Sequence, residues 1–569
     1  MAESTTPTTR SGASAAEPGG PGEAPRSGRD DRATTAWAAV SGLIAAGAFL
    51  AAAELAAVFT ARDASPILAV GAFVIDVVPQ PVKEFAIAAF GFADKAVLLG
   101  SLGLAVLVAS AIAGVLELRR PPWGAVLLGV AGALSLAATV TRAGAEPLAW
   151  VPSVVGAVVG VVVLRLLADR LRASVGRTRR GSSGTSGTSG TTGTSAATGT
   201  TGDAAPEAAR AGSVDRRGFF VVAAVAAASA LVVGVGARIS NAASASIDAI
   251  RSALKLPAPR RTIAVPPGAE LDVPGLTPLI TPNADFYRID TALTVPSVDP
   301  ASWRLVVDGL VGRRVELTFD ELVAMGLDEY AVTLTCVSNE VGGDLLGTAV
   351  WLGVPVRDIL AMAEPDADAD MVLSRSVDGF TASTPLEALT DPGRDAILAV
   401  GMNGEPLPLD HGFPVRMVVP GLYGYVSATK WLAELKVTTF AADEAYWTPR
   451  GYSAEAPIKL SSRIDTPRPG RAVPPGRTAI AGMAWAQHTG VERVEVRIDD
   501  GPWQRAEVST PINADTWVQW VLEWDAAPGT HYVTVRAVDR DGRVQVGERA
   551  PVAPDGATGW HRVLVTVTD

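Results

Sequence analysis

Four stretches of the sequence, at about Trp37 to Thr60, Ala93 to Leu118, Trp123 to Val140 and Leu148 to Leu167, are almost unbroken runs of apolar residues. Each is close to the ~20 residues a helix needs to cross a bilayer, where every backbone polar group must be satisfied within the segment. They predict a transmembrane helical bundle over residues 36–168. Ser65 to Val78 is apolar but shorter and runs into Pro79-Gln80-Pro81, which suits a re-entrant or interfacial piece better than a full span. Arg119 and Arg120 close the second span, and Arg165, Arg170, Arg172, Arg177, Arg179 and Arg180 crowd the end of the fourth. By the positive-inside rule, the N-terminus, the second-to-third loop and the segment after the fourth span are cytoplasmic.

The chain around the bundle is of a different kind. Residues 1–35 are rich in Ser, Thr, Gly, Pro and charge and read as a disordered leader. Residues 169–214, which include the Gly/Ser/Thr tract Gly181 to Gly202, have too little apolar surface to fold and read as a flexible cytoplasmic linker. A fifth apolar span over 215–237 opens with Asp215-Arg216-Arg217-Gly218-Phe219-Phe220. The two arginines serve either as an ordinary cytoplasmic flank or as a twin-arginine signal, the kind read by machinery that exports folded proteins. In both readings everything after the fifth span faces outward, making the protein multi-pass in the cell membrane.

The outer part falls into two patterns. A Pro-rich approach, Leu256 to Pro282, wraps over the surface of a domain spanning 238–465, in which apolar runs alternate with short helical stretches such as Phe319 to Met325 and Val356 to Ala363. This predicts an α+β domain with a mixed sheet. Over 466–569, Thr478 to Met483, Val491 to Ile498, Thr516 to Trp524, His531 to Val538 and Trp560 to Val567 read as short strands between turn signals. That spacing suits an immunoglobulin-like sandwich, with a small barrel as the alternative.

The chemistry-bearing residues are few. A net charge of -11 disfavours nucleic acid as a partner. Cys336 is the only cysteine, so it forms no intrachain disulfide. It is a buried apolar thiol, a nucleophile, or one thiolate of a metal site completed from outside the protein. It follows the β-branched and apolar run Val332 to Thr335 and precedes a turn ending in Gly342-Gly343, so a strand delivers it into a loop. All four histidines lie in the outer part and none in a span, so no haem is expected in the bundle. No spaced Cys/His set suggests zinc or iron–sulfur, and the Gly-rich tract lacks the lysine of a phosphate-binding loop. His411 and Arg416 are five apart across a Gly-Phe-Pro turn. They are either a turn histidine and an ion-paired arginine or, if the turn folds one back, an anion site to which Lys430 adds charge.

Several separated segments then resemble, in order, the sulfite oxidase family of molybdenum enzymes: Asn283-Ala284-Asp285-Phe286-Tyr287-Arg288, the Cys336 segment, Gly353-Val354-Pro355, Met402 to Leu407, His411 to Arg416, and Lys430-Trp431. Gly482 to Trp485, Asp499 to Trp503 and Arg536 to Asp539 are similar to that family's C-terminal domain, which commonly makes the dimer contact. The resemblance implies molybdenum held by the dithiolene of a single pterin, molybdopterin, with Cys336 as the one protein thiolate. It implies that His411, Arg416, Ala428, Thr429 and Lys430 hold the pterin and its phosphate. Asn283, Phe286, Tyr287 and Arg288 would form the other wall, with Asp378 a further match and Tyr452 a tyrosine near the metal. A cofactor inserted in the cytoplasm would require export of the folded domain, which supports the twin-arginine reading of Arg216-Arg217.

The resemblance has departures. Sulfite-oxidising members place arginines where this chain has Glu340 and Val341, and another near Tyr425, Val426 and Ser427. Tyr423-Gly424-Tyr425 instead resembles the branch that reduces S-oxides such as methionine sulfoxide. The expectation is a membrane-anchored oxidoreductase transferring an oxygen atom, with two electrons, to or from a small sulfur compound and exchanging electrons with an unidentified partner. The alternative is a metal-free outer-surface binding module that retains the fold.

Overall fold

The computed structural model describes residues 27–60, 94–141, 148–182, 246–292 and 294–568, together with residues 70, 73 and 78. Most of the expected leader, nearly all of the Ser65 to Val78 piece, the linker beyond Ser182 and the 215–237 span with Arg216-Arg217 lie outside the described residues. The chain forms two units, one holding most of the N-terminal helices and one holding the sheet-rich remainder.

In the first unit the helices run over Ser27–Thr60, Asp94–Arg119, Trp123–Val140 and Val151–Ser182. Among the described residues four helices are long and apolar enough to cross a membrane. Two bounds differ from expectation. The first helix begins inside the expected leader, and the fourth runs through 169–182, where a flexible linker was expected. Helix-forming Leu, Ala and Arg residues carry the fourth helix on, with Arg172 paired to Asp169 at 2.6 Å. Small residues set the packing: a Cβ added to Gly42 would meet the Ser110 carbonyl, and one on Gly114 the Ala38 carbonyl, so two helices touch backbone to backbone. Ser135 and Ser153 share a hydroxyl hydrogen bond of 2.9 Å, and buried Glu117 accepts from the Ala125 amide at 2.8 Å, capping the third helix.

In the second unit the expected single mixed sheet is two sheets. One orders Val315–Thr318 (β2), Arg304–Gly309 (β1), Leu432–Thr438 (β10), Met371–Ser376 (β5) and Thr381–Pro385 (β6), with β1 and β10 parallel and the rest antiparallel. The other orders Asp328–Thr335 (β3), Leu346–Pro355 (β4), Ile397–Met402 (β7) and Glu405–Pro406 (β8), with Arg416–Val418 (β9) also on β7, and is antiparallel throughout. Helices Phe319–Ala324, Val356–Ala363 and Leu386–Thr390 pack with the first sheet around Leu305, Val307, Ile359, Leu360, Leu435 and Val437. Thr318 and Glu321 close the first of these helices with a capping box. The β5–β6 hairpin was not anticipated because its residues are mostly Ser, Thr and Arg, although most are buried.

The C-terminal region also holds two sheets. Ser461–Thr466 (β11), Gly476–Trp485 (β13), Val518–Ala526 (β17) and Glu507–Val508 (β16) form one. Ala472–Val473 (β12), His561–Val567 (β19), Gly529–Asp539 (β18), Val491–Ile498 (β14) and Gln504–Arg505 (β15) form the other. Ile480, Trp520, Val494, Val496, Val535, Val563 and Val565 make one core between them, and β19 alternates buried and open positions as a one-faced strand must. Strand β11 lies across the expected boundary at 465/466, because it pairs with β13. The Pro-rich approach is tied to this region by Thr277 N to Asp465 Oδ2 at 3.1 Å and Trp517 Nε1 to the Leu279 carbonyl at 2.7 Å, and to β3 by Glu329 N to the Arg261 carbonyl at 2.9 Å.

Candidate functional site

Cys336 stands one residue beyond β3. The β3–β4 register carries past its last pair, Thr335 with Leu346, because Cys336 N donates to the Leu345 carbonyl at 2.9 Å. Asn339 closes the intervening loop. Its amide donates to the Cys336 carbonyl at 3.1 Å, and its Oδ1 accepts from Leu345 N at 2.9 Å. The thiol is buried, and burial pushes its pKa up while the amide and hydroxyl of Ser338 and the charge of Lys430 act the other way. Tyr287 lies close enough to feel both Cys336 and Arg416, and burial pushes its phenol far up. A Cβ on Gly424 would stand 3.8 Å from both the Tyr287 hydroxyl and the Thr335 carbonyl and 3.6 Å from Ala428 Cβ.

The expected anion-binding residues converge here with different roles. Arg416 is buried; it donates to the His411 carbonyl at 3.1 Å and the Ala428 carbonyl at 3.5 Å, and its guanidinium lies 5.0 Å from the Trp351 ring centre. Burial lowers its pKa to about 10, so it stays charged. His411 Nε2 faces the Asn283 carbonyl at 3.2 Å, and since a carbonyl only accepts, Nε2 carries the proton. Burial holds His411 at about 4, so it is neutral, and the buried Nδ1 lone pair meets no partner among the described residues. Of the expected anion pair, then, only Arg416 is a cation. Lys430 donates to Asp290 Oδ2 at 3.2 Å and the Asp410 carbonyl at 2.8 Å, and burial lowers it to about 8 against the opposing pull of Asp290. Thr429 shares a 2.7 Å hydroxyl bond with Ser374, and its carbonyl takes Met417 N at 2.9 Å.

The other wall is only partly as expected. Phe286 stacks on Tyr287 at 5.3 Å and meets the His411 ring edge-on at 5.6 Å. Arg288 pairs with Asp290 at 3.1 Å, so one carboxylate serves both Arg288 and Lys430. The Asn283 side chain is committed elsewhere: it donates to Glu405 Oε1 at 2.6 Å and the Met402 carbonyl at 3.2 Å and accepts from Asn403 at 2.8 Å. Asp378 sits in the β5–β6 turn and accepts from Phe380 N at 3.4 Å, next to Val377, whose amide bonds the Trp431 carbonyl at 2.9 Å. Tyr452 is buried between Tyr425, at 5.5 Å between ring centres, and Trp447, at 5.2 Å. Sequence reasoning missed Asp290, Trp351 and Ser338. Asp290 was findable, because two residues after Arg288 on an extended segment is the same side.

These residues suit a thiolate-ligated metal carried by an anionic organic group. Among the described residues no cluster of three His, Cys, Asp or Glu could hold a metal ion by itself. A buried guanidinium Nε on Arg416 and the His411 Nδ1, both without protein partners, offer such a group one donor and one acceptor. A family model described as "Oxidoreductase molybdopterin binding domain" matches residues 292–447. Sulfite oxidase of Gallus gallus is 32% identical over 336 residues, covering 50% of this chain and 72% of the relative. This chain belongs to the sulfite oxidase family. It is an oxidoreductase, and the family implies a molybdenum–molybdopterin cofactor. The mitochondrial sulfite oxidase of Mus musculus is 33% identical over 341 residues, covering 51% of the chain, and the chain spans 62% of that relative's length. Sulfane dehydrogenase SoxCD of Paracoccus pantotrophus, a solved structure, aligns at 24% identity over 47% of this chain and 74% of its own, with a TM-score of 0.42.

Proposed function

We propose that this sulfite oxidase family member carries out two-electron oxygen-atom chemistry on a small sulfur compound at Cys336. The observation that carries this is the gathering of the sole thiol, Tyr287, charged Arg416 and Lys430, and the neutral His411 acceptor around one buried spot. When bound, the molybdenum–pterin group supplies the oxygen-atom and electron transfer. Cys336 would be the protein ligand, the Ser338 donors and Lys430 partly offsetting the burial that disfavours its thiolate. Arg416 and Lys430 would hold the phosphate, Asp290 fixes Lys430 and Arg288, and His411 Nδ1 would accept a hydrogen bond from the pterin. Tyr452, edge-on to Trp447 and tilted against Tyr425, would hydrogen-bond the substrate or product oxygen. Asn283 contributes through its carbonyl, which orients His411, and Asp378 through the turn beside Trp431.

Exposed Glu340 and half-buried Val341 follow the thiol, and the Tyr425 hydroxyl is spent on the Ser453 carbonyl at 2.7 Å. With no guanidinium at these positions, a doubly charged substrate loses the charge-assisted bonds that would hold it, which favours an S-oxide over sulfite. The four apolar helices anchor the enzyme in the membrane. The Arg216-Arg217 segment exports the folded domain to the outer face, where the C-terminal region, an immunoglobulin-like sandwich, pairs two copies and a separate redox protein exchanges electrons. Domain limits of 238–460 and 461–569 are proposed, the expected 465/466 boundary being moved so that β11 stays whole in the second.

The test is metal analysis of full chain expressed with cofactor supply, followed by turnover of sulfite and of S-oxides with an artificial redox dye. About one molybdenum per chain and S-oxide reduction are expected. Metal-free protein after replete expression overturns the reading, and sulfite oxidation at the higher rate overturns the substrate assignment.

A further inference from the structure

Strand β3 is the edge of its sheet, and an edge strand leaves a row of amides and carbonyls to be satisfied. The C-terminal region satisfies them just before the thiol. Thr333 N donates to the Asp515 carbonyl at 3.0 Å, Asn513 Nδ2 donates to the Ala331 carbonyl at 2.9 Å, and Trp517 N donates to Thr333 Oγ1 at 2.8 Å. Gln487 Nε2 reaches across to the Thr333 carbonyl. The same region holds the far end of the loop. Arg463 Nη1 donates to the Gly343 carbonyl at 2.8 Å, and this guanidinium is buried and locked by Asp465 at 2.7 Å and Thr277 Oγ1 at 3.0 Å. The His561 ring lies against Gly342, at φ +84, so that any Cβ there would strike the imidazole. Its Nδ1 is fixed by Ile464 N at 2.9 Å.

We propose that the C-terminal region is a clamp on the Cys336 loop, gripping it three residues before the sulfur and again at Gly342-Gly343, and that Arg463 and Gln487 are positioning residues for the thiolate. Within the loop itself the ties run through Cys336, Asn339, Glu340 and Leu345. A loop of that kind opens readily unless its ends are held, whereas a metal ligand must keep its place. The clamp supplies the hold without touching the sulfur. Its meaning for the metal rests on Cys336 being the ligand, as argued above.

Because Cys336 is the only cysteine, a thiol reagent reports on this loop alone. The experiment measures alkylation of cofactor-free full chain by iodoacetamide in four variants. Arg463→Met and Gln487→Leu should each alkylate about tenfold faster than the parent, the factor set by losing one well-made hydrogen bond to a locally opening segment. Arg463→Lys should recover part of the protection. Arg536→Met removes an equally well-formed pair, with Glu495 at 2.6 Å, from the other sheet of the same region and should leave the rate unchanged. Equal acceleration in Arg463→Met and Arg536→Met, or none in Arg463→Met and Gln487→Leu, overturns the clamp. In molybdenum-loaded protein the thiolate-to-metal absorption should shift in Arg463→Met, and an unshifted band also overturns it. Absence of that band from the loaded parent would instead defeat Cys336 as ligand, with the alkylation series still deciding the clamp.

Discussion

Replacing Arg416 by methionine should act in opposite directions on the empty and the loaded protein. The guanidinium is 3% exposed, and its pKa falls from 12.5 to about 10 through burial. That fall corresponds to about 3 kcal/mol favouring loss of the charge. The folded value lies below the unfolded one, so this cost is present at every pH below about 10 and is relieved only above it. Against it stand hydrogen bonds to the His411 and Ala428 carbonyls and the contact with Trp351, together worth about 2 kcal/mol for a charged donor. A methionine fills a similar volume without charge, so cofactor-free Arg416→Met should be as stable as the parent or about 1 kcal/mol more stable, which is a rise of about 3 °C for a domain of this size. The loaded protein should lose the charge-assisted contact offered by Arg416 Nε and hold its pterin phosphate about 30-fold less tightly. Thermal melts of both forms and pterin retention after dialysis measure the two effects. A large drop in the melting temperature of the cofactor-free variant with normal retention would refute the reasoning, since Arg416 would then be a structural cation.

Further outcomes follow from neighbouring residues. Lys430 is held at about 8, below its ordinary value, so its charge is present below that pH and lost as the pH rises through it. Retention of the anionic cofactor should fall between about pH 7 and about pH 9, and Lys430→Arg should flatten the curve; a flat curve for the parent would count against Lys430 as an anion partner. Cys336→Ser should lose the thiolate-to-metal absorption and turnover while its melting temperature stays near that of the cofactor-free parent, and turnover at the parent's rate would remove Cys336 from the chemistry. Gly342→Ala forces a side chain into a left-handed conformation and against His561, and should cost about 2 kcal/mol or more in urea denaturation; unchanged stability would mean that the loop end is not pinned.

The loop position of Cys336 was legible because it follows a β-branched run and precedes a Gly-Gly turn, while its ligand role came from the family resemblance; several strands, such as Val491 to Ile498 and Leu432 to Thr438, appeared where their apolar runs lie. The buried β5–β6 hairpin was not legible, since Ser and Thr carry no apolar signal when the hydroxyls are satisfied internally. The pairing of the sheets was not legible either, because a strand's residues specify a face but not a neighbour.

The sequence by itself determined the four membrane-length helices, the loop position of Cys336 and the residue types around it, for these depend on local composition and on spacing along the chain. Tertiary structure decided that Asp290 serves both Lys430 and Arg288, that His411 is a neutral acceptor, that the Asn283 amide is turned away, and that residues more than a hundred positions downstream hold the cysteine loop. Protonation and hydrogen-bond roles depend on burial and on partners from distant segments, and only the folded chain brings those together.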